Sequence, residues 1–347
     1  MIKLILSAGM IAAFISGCGR TESDSVDSNS STLGTAEVNL TNLQTIAFAP
    51  PIDAACLNRF HSAHDLRLSE KDVYDKGYED IQICRYPFSN QLSEKVTSAD
   101  FVTTYSASDT GLFVERNGYV HHHSKVPSGS DQMISEPVSS SKHSWDPEAP
   151  FYLASNQSGL VALTIGYDVT FFKREPSSNG NAFLWRPFNS GYSPLDRDKI
   201  KMAGTGIYTH NKNKNKIKWS LINRRETVEL QCPSFCDDIT PAVDGIYALS
   251  KMGIYFFDEN GGRSTIIDPS AAPWDSVYSF HGSAWGVYVY YSRPDHKYVL
   301  SFITRDSKEI IIVEGGRDLG SVIANDYGVF VRGDRLGPWQ YYELHKN

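Results

Sequence analysis

The sequence predicts an all-β protein of the β-propeller class, with seven blades as the first reading, six or eight still open, and each blade a four-stranded antiparallel sheet. Three observations carry this expectation: a unit recurs with a period in the forties, each unit splits into paired short strands, and helix signals are scarce.

The unit is a small or acidic residue, then glycine, then an alternating aliphatic and aromatic run. It is seen in Asp109-Thr110-Gly111-Leu112-Phe113-Val114 and recurs at Gly159, Gly206, Gly245, Gly286 and Gly328, spacings of 48, 47, 39, 41 and 42 residues. One propeller blade needs a repeat of this length. Glycine can open or turn a strand, and Val, Ile, Tyr and Phe suit a pleated, half-buried surface. Second strands follow closely, at Gly118-Tyr119-Val120 after Gly111, Gly166-Tyr167 after Gly159 and Gly253-Ile254-Tyr255 after Gly245, which predicts hairpins. The single helical candidate runs from Ala54 to His64, with Asp53 as a possible cap.

A seventh unit is expected near the start, where Asp65-Leu66-Arg67-Leu68-Ser69 precedes Asp72-Val73-Tyr74. The last unit has only 19 residues after Gly328, enough for two strands, so its sheet must be completed from elsewhere. Thr45-Ile46-Ala47-Phe48-Ala49 lies where the other chain end could supply that strand.

Ahead of the repeats, Lys3 precedes an apolar stretch from Leu4 to Ile15 that is too short to span a bilayer as a finished helix. It ends in Ile15-Ser16-Gly17-Cys18, and this combination resembles the lipobox of bacterial lipoproteins. The resemblance covers about the first 20 residues and implies that a diacylglycerol is attached to the Cys18 thiol, that residues 1–17 are removed, and that the new amine is acylated. Gly19 stands where many inner-membrane lipoproteins carry aspartate, which points to the outer membrane in a Gram-negative cell. In outline the chain is also similar to the propeller scaffold of the outer-membrane barrel assembly machinery, although that scaffold's blade motifs are absent. Residues 18–44, with Ser, Thr, Asp and Asn predominating, are expected to form a flexible tether, and residues 45–347 a single folded domain.

Removing residues 1–17 takes away one lysine, so 32 basic residues face 40 acidic ones, a net charge of minus 8. That excludes nucleic acid as a main partner. With Cys18 committed to lipid, Cys56, Cys84, Cys232 and Cys236 form an even set in an oxidising compartment. Cys56–Cys84 and Cys232–Cys236 is the preferred pairing among three connectivities.

Candidate binding residues are fewer. Trp145, Trp185, Trp274 and Trp339 stand beside proline or charge in segments that read as loops, where tryptophan can stack on a sugar or anchor a protein contact. Trp219 and Trp285 fall inside strand patterns and read as packing residues. Lys212, Lys214 and Lys216 alternate with asparagines as a solvated hairpin tip or a basic finger for an acidic partner. His121 and His123 would share one face of a strand and could offer two imidazoles to a metal, but a third ligand is lacking and no metal site is assigned.

No nucleophile elbow, His-Glu-x-x-His helix, Walker loop or EF-hand is present, and no cofactor or catalytic residue is assigned. The leading expectation is a monomeric, lipid-anchored envelope protein that binds or scaffolds a protein or glycan. The alternatives are a propeller hydrolase or lyase acting on glycans or lactones, and a lectin-like or toxin-neutralising module.

Overall fold

The computed structural model describes residues 38–43, 66–69, 72–76, 82–87, 94–98, 102–116, 119–124, 132–133, 152–155, 161–165, 168–176, 183–189, 200–203, 206–211, 216–221, 227–233, 235–250, 253–333 and 339–346. Strand β1 (Val38–Leu43) comes first in the chain and joins the last sheet. The first sheet is β2 (Leu66–Leu68), β3 (Asp72–Lys76), β4 (Gln82–Pro87) and β5 (Glu94–Ser98). The second is β6 (Val102–Ser108), β7 (Gly111–Arg116), β8 (Tyr119–Ser124) and β9 (Gln132–Met133). The third is β10 (Tyr152–Ser155), β11 (Val161–Ile165), β12 (Asp168–Pro176) and β13 (Phe183–Asn189). The fourth is β14 (Ile200–Ala203), β15 (Gly206–Asn211), β16 (Lys216–Leu221) and β17 (Thr227–Gln231). The fifth is β18 (Cys236–Ala242), β19 (Gly245–Ser250), β20 (Gly253–Asp258) and β21 (Arg263–Ile267), and the sixth β22 (Ser276–Gly282), β23 (Gly286–Ser292), β24 (Tyr298–Thr304) and β25 (Glu309–Gly315). The seventh is β26 (Ser321–Ala324), β27 (Gly328–Arg332) and β28 (Trp339–Lys346), with β1 outside β28.

The described strands thus form seven four-stranded sheets, and each neighbouring pair within a sheet is antiparallel. The first strands of successive sheets touch in order, β2 to β6, β10, β14, β18, β22 and β26, and β26 touches β2 again. A ring closed in this way has the innermost strands around one axis. The chain is a β-propeller.

The repeated glycine has a packing reason. A Cβ on Gly245 would lie 2.6 Å from Phe256 Cζ, one on Gly286 2.8 Å from Phe302 Cζ, and one on Gly328 2.7 Å from Tyr341 Cε2. Each aromatic ring lies over the glycine of the adjacent strand and meets the aromatic two residues beyond it. Tyr247 and Phe256 are 4.9 Å apart between ring centroids, Tyr288 and Phe302 4.8 Å, Phe330 and Tyr341 4.5 Å. In the fourth sheet Tyr208 stacks on Trp219 at 5.5 Å. Gly-aliphatic-aromatic is therefore the half of an aromatic pair that a single sequence can display.

Apolar seams hold neighbouring sheets together. Tyr247, Leu249 and Phe256 meet Phe280, Val287, Val289, Tyr291 and Val299 between the fifth and sixth sheets. Tyr288, Tyr290, Leu300 and Phe302 meet Val329, Val331 and Tyr342 between the sixth and seventh.

Two expectations shift. The strand completing the last sheet is Val38–Leu43, which pairs Val38 with Lys346 and Leu43 with Tyr341. It lies inside the stretch read as tether, and Thr45–Ala49 lies outside the described residues. An outermost strand has one ladder to satisfy and tolerates the polar alternation Val38-Asn39-Leu40-Thr41-Asn42-Leu43, so composition alone marked it as leash. The expected first unit exists but is offset by one strand: β2 is innermost, and Asp72-Val73-Tyr74 on β3 occupies the place of Gly-aliphatic-aromatic. The segment Ala54 to His64 lies outside the described residues, among which the only helical turn is Pro269–Ala271.

Candidate functional site

The innermost strands run in one direction, which gives the ring two distinct faces. At the ends of these strands Gly282 N donates to Thr240 Oγ1 at 2.8 Å, and Asn325 Nδ2 just beyond β26 donates to Ser69 O just beyond β2 at 2.9 Å. We call this side the exit face and the side where the innermost strands begin the entry face.

The exit face is bound together between sheets. Arg305, in the β24–β25 turn, donates to both carboxylate oxygens of Asp244 in the β18–β19 turn, one bond measuring 2.7 Å, and its Nε donates to Tyr247 Oη at 2.9 Å. Its guanidinium also lies 4.2 Å from the centroid of Phe256. Burial works against the Arg305 charge, but the Asp244 and Tyr247 bonds hold its pKa above the ordinary value. Asp326 accepts from Ala284 N at 2.6 Å, joining the sixth and seventh sheets. Tyr327 Oη reaches Asp109 at 3.3 Å, from the seventh sheet to the second. The acids preceding the repeated glycines at 111, 245 and 328 are thus inter-sheet acceptors.

Along the axis Ser279 Oγ lies 2.7 Å from His281 Nε2, which also lies 3.2 Å from Val322 O on the next innermost strand. With its Nε2 protonated, His281 donates to Val322 O and ties β22 to β26; with Nε2 unprotonated it accepts from the Ser279 hydroxyl. Among the described residues no three or more His, Cys, Asp or Glu side chains are grouped so as to hold a metal.

The entry face differs in character. Phe235 is 52 % exposed between Cys232 and Cys236, which form a disulfide while themselves buried. Tyr278 is 54 % exposed at a bulge in β22, where Val277 pairs with Tyr291 and Ser279 with Tyr290. Its ring lies 5.4 Å from that of Tyr290 and 5.8 Å from that of Tyr298. Tyr290 Oη donates to Asp318 and accepts from Leu319 N at 2.7 Å, which fixes the ring beneath Tyr278.

The candidates from the sequence distribute unevenly. Cys18, Cys56, Trp145, Lys212 and Lys214 lie outside the described residues. Cys232–Cys236 is formed as expected, and Cys84 is in a disulfide whose partner lies outside the described residues. Trp185 and Trp339 are in strands β13 and β28, where loops were expected. Pro187 suggested a loop after Trp185, but β13 is an outermost strand, which tolerates a residue without an N–H. Trp274 is in a connection but is 6 % exposed, packed edge-on against Tyr291 at 5.7 Å, so it fills the seam and is not displayed. Trp219 is buried as a packing residue. Lys216 opens β16 on the entry face and pairs with Glu229 at 2.8 Å.

The histidine run has a structural explanation. His122 takes the aromatic position over Gly111, its ring 4.6 Å from Phe113, and its Nε2 is 3.3 Å from Thr110 Oγ1. His123 is buried on the opposite side of β8, and His121 is half-buried opposite Val114.

Phe235 and Tyr278 were not singled out by the sequence. An apolar residue caught in a five-residue cysteine loop is a signal that could have found Phe235. The bulge that turns Tyr278 outward has no such mark.

No family model matches the chain, and no curated protein matches it by sequence. Among solved structures it is similar to virginiamycin B lyase from Staphylococcus aureus, at 12 % identity and TM-score 0.51, covering 89 % of this chain and 100 % of that one. It is also similar to Prp20p from Saccharomyces cerevisiae, at 9 % identity and TM-score 0.52, over 91 % and 92 % of the two chains. A chain of the mitotic checkpoint complex matches at 10 % identity and TM-score 0.50, over 98 % and 100 %. At these identities the likeness is one of fold.

Proposed function

We propose that this protein is a lipid-anchored envelope protein whose propeller binds another protein. The observation that carries the binding reading is the pair of exposed aromatics Phe235 and Tyr278, the first between two bridged cysteines and the second against the rings of Tyr290 and Tyr298. Large exposed aromatics are what a protein interface uses as anchors. The lipobox resemblance ending at Cys18 supports the anchor, and the disulfides fit an oxidising compartment. Prp20p, whose fold is shared, is described by its binding to Gsp1p and histones, so a ring of this kind can serve as a binding surface.

Two measurements test the reading. Radioactive palmitate should label the wild type and leave Cys18→Ala unlabelled; equal labelling would remove the anchor. Chemical cross-linking in native membranes should join the wild type to a discrete protein, with less product from the unanchored Cys18→Ala. Turnover of a glycan or lactone by the purified protein, lost in His281→Ala, would replace binding by catalysis.

A further inference from the structure

The seams between sheets repeat one device, and the fourth seam exchanges a member of it. Between the fifth and sixth sheets Arg305 donates to Tyr247 and Asp244 and lies over the Phe256 ring. Between the fourth and fifth sheets Tyr208 holds the place of Tyr247, second beyond its glycine, and Trp219 the place of Phe256, the aromatic paired with it across the ladder. The β20–β21 turn matches the β24–β25 turn bond for bond. Asp258 N donates to Gly262 O and Thr304 N to Lys308 O, both at 2.9 Å, while Gly261 N donates to Asp258 O and Ser307 N to Thr304 O, both at 3.0 Å. Gly261 and Ser307 take the left-handed backbone at the same place in the two turns, with φ of 81° and 69°. By this correspondence Glu259 stands where Arg305 stands, an acid in place of the base.

The β20–β21 turn reaches the fourth sheet: a Cβ on Gly261 would lie 3.4 Å from Leu230 Cδ2 and 3.6 Å from Val228 Cγ1. Tyr208 is fully buried, and its hydroxyl has no hydrogen-bond partner. Burial raises the Tyr208 pKa above its ordinary value, and Glu259, Asp244 and Asp258 raise it further, so the charges that bear on this hydroxyl are all carboxylates. At Tyr247, by contrast, Arg305 offsets part of the same burial. Asp244 is engaged by Arg305, and Asp258 accepts from the amides of Asn260 and Gly262 at 2.8 Å, bonds in which both keep their negative charge. A buried hydroxyl without a partner is costly, and carboxylates gathered round it favour a cation. Among the described residues no three acids are grouped closely enough to hold a metal, which points to a broad organic cation.

We propose that the exit-face recess over Tyr208 is a seat for a guanidinium group supplied by a ligand. Tyr208 Oη accepts from it, Glu259 faces its charge and Trp219 underlies its plane, the parts that Tyr247, Asp244 and Phe256 play for Arg305. Tryptophan is the strongest aromatic partner for a cation, and a planar fork of donors fits such a site better than an ammonium. Asp244 and Glu259 are half-buried, so the ligand reaches the recess between the two turns that carry them. The seat lies on the face opposite Phe235 and Tyr278, and this inference goes beyond the binding reading without depending on it.

The test is calorimetric titration of the full-length protein in detergent with Nα-acetyl-arginine amide. The lysine counterpart should bind about fivefold more weakly, and the uncharged citrulline counterpart at least about tenfold. Tyr208→Phe and Glu259→Gln should each weaken the arginine probe about tenfold while keeping the wild-type melting temperature. Glu259→Arg should fill the seat from within, abolishing binding and raising the melting temperature by about 2 °C. Arg305→Ala should open a second seat over Tyr247 and raise the stoichiometry from one to two. Tighter binding of the capped residue than of free L-arginine assigns the guanidinium to a polypeptide, and the reverse order to a small molecule; either supports the seat. Equal binding of the citrulline form, or wild-type affinity in Tyr208→Phe and Glu259→Gln, would overturn it. So would a probe that binds Arg305→Ala and not the wild type.

Discussion

The two faces of the ring use similar residues for opposite ends. On the exit face, acids and aromatics are turned inward on the assembly: Asp244 binds Arg305, Asp326 binds the Ala284 amide, and Tyr327 reaches Asp109. On the entry face Tyr290 is bonded to Asp318 and the Leu319 amide, but two large side chains, Phe235 and Tyr278, face solvent. One face spends its chemistry on holding sheets together and the other on holding side chains outward. Substitutions at these contacts should therefore lower stability on the first and partner binding on the second.

The largest effect should come from the seams both faces share. Burial pushes Tyr291 up to about 12 and also raises Tyr208, Tyr247, Tyr288 and Tyr341. A phenol whose pKa is higher folded than unfolded contributes stability that is whole below about pH 10 and is lost as pH rises through the folded value. Alkaline unfolding should begin near pH 10 and be complete by about pH 12, with tyrosinate absorbance rising together with loss of β circular dichroism. Ionisation of these tyrosines with the fold intact would contradict this account.

Next is Gly286→Ala, on the exit-face side of β23. The new methyl would collide with the Ile303 carbonyl oxygen and stand 2.8 Å from Phe302 Cζ, and overpacking of this kind should cost about 3 kcal/mol in urea unfolding. On the entry face, opening the Cys232–Cys236 bridge as the double serine variant should cost about 2 kcal/mol by releasing a short closed loop, and should weaken the partner contact as well. Arg305→Ala should cost about 1 kcal/mol, because its ion pair with Asp244 is partly solvated, and should leave partner binding unchanged. The smallest stability effect belongs to Phe235→Ser and Tyr278→Ser, within about 0.5 kcal/mol of wild type, since exposed side chains contribute little to folding. A large loss there with binding retained would reverse the roles assigned to the two faces.

Much of the fold was readable in the sequence because the repeated glycine and its aromatic sit on one strand, as at Gly245-Ile246-Tyr247 and Gly286-Val287-Tyr288. The other half of the device, Phe256 or Phe302, comes from the next strand, and only pairing brings it over the glycine. This is why the sequence showed His122 only as the middle of a histidine run, when it fills an aromatic position. Tryptophan misled for a similar reason: proline and charge around Trp274 describe the chain near it, whereas its ring is buried by Tyr291 from another strand. The exit-face acids were visible as part of the repeat, but their partners are 42 to 218 residues away. Tyr278 was hidden because a bulge reverses the side to which a residue points, and alternation in Ser276-Val277-Tyr278-Ser279 cannot reveal a skipped position.

Strand β1 has a mechanical meaning as well as a topological one. Six residue pairs join it to β28, and the chain toward Cys18 leaves from its Val38 end. If the chain is held at a lipid on Cys18, as proposed, and a load acts on the ring from the opposite side, the load runs along the strand. All six pairs then resist together in shear, instead of parting one by one as a peeled edge would. The strand that completes the last sheet would then serve as a mooring, and a ring so held should withstand pulling better than one tethered through a terminal strand loaded crosswise.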